Sequence, residues 1–98
     1  MPSTGSPTLK WSPAAIADIQ RLRAFIEPHN PEAVRRAAAS LKQAAGLLLT
    51  HPGIGKRLEG RQDRDLFVPF GQRGYVMRYR LDGDEIVILR IWHGLEDR

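Results

Sequence analysis

His93 ends the run Ile88-Leu89-Arg90-Ile91-Trp92-His93, and arginines recur ahead of it at Arg61, Arg64, Arg73, Arg78 and Arg80. A histidine at a strand end has the right pKa to act as general base on a ribose hydroxyl. It also reads as a hydrogen-bonding residue that ties the C-terminal tail to the sheet. No second acid or base stands beside it, which favours the structural role. Arg78 and Arg80 alternate on one strand face, flanked by Arg61, Arg64 and Arg73, and together they form a surface for phosphate or carboxylate groups. The same residues also fit a solvated face on which Arg80 pairs across the strand with Glu85, an arrangement that stabilises little. Gly53-Ile54-Gly55-Lys56 lacks the full spacing of a phosphate loop and does not join a strand to a helix. Ser12, Ser40 and Thr50 have no neighbouring base, so nucleophilic catalysis has no support.

Composition narrows the classes. With no cysteine, disulfides and thiolate metal sites are excluded. His29, His51 and His93 lack metal-ligand spacing, so neither a metal nor another cofactor is expected. The net charge of +4 and the pI near 10.1 suit an acidic partner such as nucleic acid, the ribosome or an acidic protein segment. No apolar run approaches the roughly 18 residues of a membrane span. The opening Met-Pro-Ser-Thr-Gly-Ser-Pro has neither a basic nor an apolar region, so it does not read as a signal peptide. The expectation is a cytoplasmic chain, with residues 1–7 a flexible tail and residues 8–98 one domain with one modest core.

These side chains need elements to position them. Thr8 to Trp11 suits a short strand, and Ser12-Pro13 reads as an N-cap followed by proline at the first helical position. Ala15, Ile19, Leu22 and Ile26 recur at helical spacing, giving a first helix to about Glu27 that Pro28 stops. Asn30-Pro31-Glu32 repeats the start signal, and Val34, Ala37, Leu41, Ala45 and Leu48 make the apolar stripe of a second helix. So short a link makes the helices an antiparallel hairpin. A basic loop, Lys56 to Arg61, leads to three strand candidates: residues 64–70, 74–81 and 85–93. Asp82-Gly83 signals a tight hairpin between the last two. Helices followed by meandering strands predict an α+β fold, a helical hairpin packed on a small twisted antiparallel sheet.

A two-residue loop of Asp82 and Gly83 pairs Leu81 with Asp84. One face then carries Tyr75, Met77 and Tyr79 with Ile86, Ile88, Arg90 and Trp92, and this is the expected core side. Arg90 there needs an acidic partner, for which Asp18 or Asp65 would serve. Trp11 and Trp92 read as core anchors. The other face carries Val76, Arg78 and Arg80 with Glu85, Val87, Leu89, Ile91 and His93. In a single-layer sheet that face stays wet until a partner covers it.

From Leu9 to Arg98 the chain resembles the RelE/ParE superfamily of toxins. The resemblance rests on Trp11-Ser12-Pro13-Ala14-Ala15 with Asp18-Ile19, Asn30-Pro31-Glu32-Ala33, His51-Pro52-Gly53-Ile54-Gly55-Lys56 and Arg64-Asp65-Leu66. It extends through Gly74-Tyr75-Val76-Met77-Arg78-Tyr79-Arg80 and Ile88-Leu89-Arg90-Ile91-Trp92-His93, all in the family's order. It implies the toxin half of a type II toxin–antitoxin module, a hetero-oligomer neutralised by its cognate antitoxin. The RelE-like branch cleaves messenger RNA on the ribosome with basic residues on the middle strands. ParE-like members lack that set and are associated with plasmid stabilization and inhibition of DNA gyrase. Here the positions matching two strand lysines of RelE are Leu66 and Val68, and the one matching its arginine after Gly-Tyr is Val76. Aliphatic side chains cannot stabilise a pentacoordinate phosphate.

The favoured expectation is therefore a ParE-like, non-enzymatic gyrase inhibitor. Arg61, Arg64, Arg73, Arg78, Arg80 and His93 are its expected antitoxin- or target-binding residues. The alternatives are a RelE-like ribosome-dependent endonuclease working through Arg78, Arg80 and His93, and an inactive member that only binds its antitoxin.

Overall fold

The computed structural model describes residues 7–26, 30–70 and 74–94. Most of the expected N-terminal tail, the end of the first helix at Glu27, Arg73, and the tail from Leu95 to Arg98 lie outside the described residues. The elements run β1 (Thr8–Trp11), α1 (Pro13–Ile26), α2 (Pro31–Thr50), β2 (Lys56–Arg57), β3 (Arg64–Val68), β4 (Tyr75–Asp82) and β5 (Glu85–His93). The expected α+β arrangement is present, with the helices on one side of a five-stranded sheet of order β1-β5-β4-β3-β2. The sheet is mixed: β1 runs parallel to β5, and the other pairings are antiparallel. The basic loop is also shorter than expected, because Lys56 and Arg57 pair with Asp65 and Arg64 as β2. No helix among the described residues is long and apolar enough to cross a membrane.

Both helices start where their caps dictate. The Ser12 hydroxyl accepts the Ala15 N–H at 3.0 Å, and Asn30 Oδ1 accepts from Glu32 and Ala33 at 3.0 and 3.2 Å. Such a cap contributes about 1 kcal/mol. Ala37, Leu41, Ala45 and Leu48 of α2 are buried, as their spacing predicts, and Arg35, Arg36, Lys42 and Gln43 face solvent. The helices close over Tyr75, Met77, Tyr79, Ile86, Ile88 and Ile91 of the sheet.

The β4–β5 hairpin departs from the expected register in two ways. Asp82 pairs with Glu85, so the loop is Gly83-Asp84 rather than Asp82-Gly83, and Gly83 adopts a φ of +62° that favours glycine. Further along, Tyr79 pairs with Ile88 but Arg78 pairs with Arg90, which leaves Leu89 as the extra residue of a bulge. Each residue beyond a bulge changes face. Ile91 therefore enters the core, whereas Arg90 and Trp92, expected inside, lie on the open side. His93, expected on the open side, packs edge-on to buried Tyr75 with ring centroids 5.6 Å apart.

Candidate functional site: the open face of the sheet

Cross-strand partners point to the same side of a sheet, so the register lays out the face that the helices leave uncovered. Lys10, Val87 and Arg80 form one row, Lys56, Asp65, Arg78 and Arg90 the next, and Phe67, Val76 and Trp92 the third. Arg78 grips Asp65 with both arms of its guanidinium, at 2.8 and 3.1 Å. It lies 4.8 Å from the Trp92 ring centroid, and Arg90 lies 5.3 Å from the same ring. Arg90 in turn holds Asp18 through two bonds, at 2.8 and 3.1 Å. Asp65, Arg78, Trp92, Arg90 and Asp18 thus form one continuous chain of contacts from β3 to α1. Hydrogen bonding to Asp65 and Asp18 pushes both guanidinium pKa values above their ordinary value, so both cations are permanent.

Asp18 and Ser12 explain how α1 is fixed to β5. β1 ends at Trp11, opposite Ile88, so nothing further pairs with the outer edge of β5 as a strand. The Ser12 hydroxyl donates to the carbonyl of Leu89, the bulged residue, at 2.9 Å. Asp18 Oδ2 accepts the Ile91 N–H at 2.8 Å, and Arg21 donates to the Ile91 carbonyl at 3.2 Å and to Asp18 at 3.1 Å. Polar side chains at the cap and along the inner side of α1 thereby satisfy the ladder groups that β1 leaves open. Burial alone would push the Asp18 carboxyl pKa up. The bonds from Arg90, Ile91 and Arg21 outweigh it and hold the pKa below the ordinary value.

A second cluster fixes the Pro52–Gly55 turn and with it β2. The buried Tyr79 hydroxyl donates to the Pro52 carbonyl at 2.7 Å and accepts the Gly55 N–H at 2.8 Å. Arg64, the strand partner of Tyr79, donates to the carbonyls of Gly53 and Gly55 at 3.2 and 2.9 Å. A Cβ on Gly55 would stand 2.6 Å from the Tyr79 ring, so only glycine fits.

The expected site residues are not one cluster. Arg78 and Arg80 lie on the open face and His93 on the inner side against Tyr75. Arg61 is paired with the buried Asp63, and Arg64 serves the Pro52–Gly55 turn. Arg73 lies outside the described residues. Arg80 is exposed opposite Val87, not opposite Glu85 as expected. Of the two partners expected for Arg90, Asp18 is the one it takes, while Asp65 goes to Arg78. Sequence reasoning missed Phe67, which stays 56% exposed on the open face next to Val76. Its alternation with Leu66 and Val68, which pack inward, was the available signal.

A family profile described as ParE toxin of type II toxin-antitoxin system, parDE, matches residues 9–98. Toxin RelE1 of Caulobacter vibrioides is 38% identical over 91 residues, covering 93% of this chain and 97% of that protein. Toxin RelE3 of the same organism is 36% identical, covering 93% and 98%. Among solved structures, the chromosomal ParDE system of P. aeruginosa superimposes with a TM-score of 0.74 at 25% identity, covering 90% of this chain and 96% of that one. The toxin–antitoxin complex RelBE of E. coli shares the fold with a TM-score of 0.63 at 16% identity, covering 94% and 99%. The helical hairpin, the sheet order and the match over nearly the whole chain agree, and the chain belongs to the ParE toxin family of the ParE/RelE superfamily, the toxins of type II toxin–antitoxin systems.

Proposed function

We propose that the chain arrests growth in the cytoplasm by acting on DNA gyrase without chemistry of its own, and that a cognate antitoxin neutralises it. The observation that carries this reading is the state of the strand positions where an RNA-cleaving relative needs cations. Leu66 and Val68 turn toward the helices, and Val76 is buried in the floor of the open face. Arg78 is committed to Asp65 and Trp92. His93 packs against Tyr75, on the opposite side of the sheet from Arg78 and Arg80. A scissile phosphate on the open face would meet cations there but neither of the described imidazoles, His51 and His93, to take the ribose proton.

The antitoxin is supported by the solved relatives, which are toxin–antitoxin complexes. An acidic antitoxin segment would cover the open face and reach Arg80, an exposed arginine of β4. The second reading, ribosome-dependent cleavage of messenger RNA, draws on the names of the C. vibrioides relatives. Inducible expression of the chain alone separates the two. Growth arrest with a DNA-damage response and intact transcripts supports gyrase as target, and codon-linked transcript cleavage without that response selects the second reading. Expression without arrest leaves only antitoxin binding.

A further inference from the structure

The third row of the open face is unusual for a surface. Phe67, Val76 and Trp92 lie side by side across β3, β4 and β5, with Val76 as a floor between two aromatic residues. Adjacent strands stand about 4.8 Å apart, so the aromatic stems flank a slot roughly 10 Å wide. Neither aromatic is loosely held. Trp92 is pinned by the guanidiniums of Arg78 and Arg90. The Phe67 ring lies over Gly74, whose φ is +91° and where a Cβ would stand 2.8 Å from Phe67 Cζ. A glycine in a left-handed conformation thus makes room for a ring that remains 56% exposed. A ring so positioned contributes little to the core, because more than half of it stays in water.

The surrounding charges fit the same purpose. Arg78 and Arg90 are already matched by Asp65 and Asp18, so covering the strip leaves no unpaired charge buried at its centre. On the same face, exposed Lys56 lies in the row beside the strip, and exposed Lys10 and Arg80 lie one row further along. An apolar aromatic strip with exposed cations to one side suits a protein-docking surface whose partner carries an apolar knob next to acidic residues. From this geometry we infer that the Phe67–Val76–Trp92 strip is the surface by which the free toxin grips its protein target. The inference rests on the reading of gyrase as that target and names the contact site. Neutralisation then follows from occlusion, because an antitoxin lying on the open face denies the target this strip.

The test uses the purified full chain, gyrase binding measured by surface plasmon resonance, and supercoiling inhibition measured in parallel. Phe67→Asp should weaken both by more than about tenfold, as loss of an interface anchor does, while Phe67→Leu retains most of each. Ile16→Asp, at a comparably exposed apolar residue on α1, is the control and should match the wild type. Reversing these flanking charges with Lys56→Glu and Arg80→Glu should slow association and flatten its salt dependence. Wild-type inhibition that Phe67→Asp leaves intact overturns the docking surface alone. So does a Phe67→Asp variant that inhibits normally but no longer binds antitoxin. A wild-type chain that neither binds nor inhibits gyrase overturns the target reading and the inference with it.

Discussion

Asp18 on α1 accepts the backbone N–H of Ile91 on β5 at 2.8 Å, taking the place of a strand residue that β1 is too short to supply. The same carboxylate holds Arg90 and Arg21. One side chain therefore closes a sheet edge, docks a helix and anchors the arginine that lies against Trp92.

Asp18→Asn keeps the shape but removes the charge that Arg90 and Arg21 share, and should cost about 3 kcal/mol in urea denaturation at neutral pH. The pH dependence has a definite sign. The folded-state pKa lies below the ordinary 3.8, so the contribution of the carboxylate is complete above that value and is lost as pH falls through the lowered one. The stability gap between wild type and Asp18→Asn should hold constant from neutral pH down to about 4 and narrow below it. A gap that narrows near neutral pH would contradict the assignment.

Arg78 and Arg80 sit two residues apart on one face but do different work. Arg78→Ala strands Asp65 and uncovers Trp92, so it should destabilise by about 1–2 kcal/mol and shift tryptophan emission to the red. Arg80→Ala should change stability by less than about 0.5 kcal/mol and appear instead in antitoxin affinity. Equal stability losses from both would refute this division of roles.

Tyr79→Phe removes a buried hydroxyl that both donates and accepts, leaving the Gly55 N–H and the Pro52 carbonyl without their partner. It should cost about 1–2 kcal/mol and speed amide exchange across residues 53–57. Gly55→Ala should be as damaging by crowding the Tyr79 ring. Unchanged exchange in Tyr79→Phe would show that Arg64 alone holds the turn.

Much of this was legible in the sequence because it depends on local rules. The caps at Ser12 and Asn30, the stripe from Ala37 to Leu48, and the burial of Tyr75 and Tyr79 follow from spacing and turn chemistry. The faces of β4, and of β5 as far as Ile88, match the pattern of the sequence, and those of β5 beyond Ile88 do not. The bulge at Leu89 is a tertiary feature, fixed in part by Ser12, some 77 positions away in sequence, and no pattern within β5 announces it. Because a one-residue slip exchanges faces, that single residue moved Arg90, Ile91, Trp92 and His93 together. The candidate site changed accordingly, from a set of arginines with a histidine to an aromatic strip braced by two ion pairs.

The proposed target is gyrase rather than messenger RNA. The most direct measurement incubates the purified chain with gyrase and relaxed plasmid, and in parallel with a translating ribosome extract. Gyrase as target gives loss of supercoiling with accumulation of cleaved plasmid while the transcripts stay intact. Unimpaired supercoiling together with cleaved transcripts would contradict it.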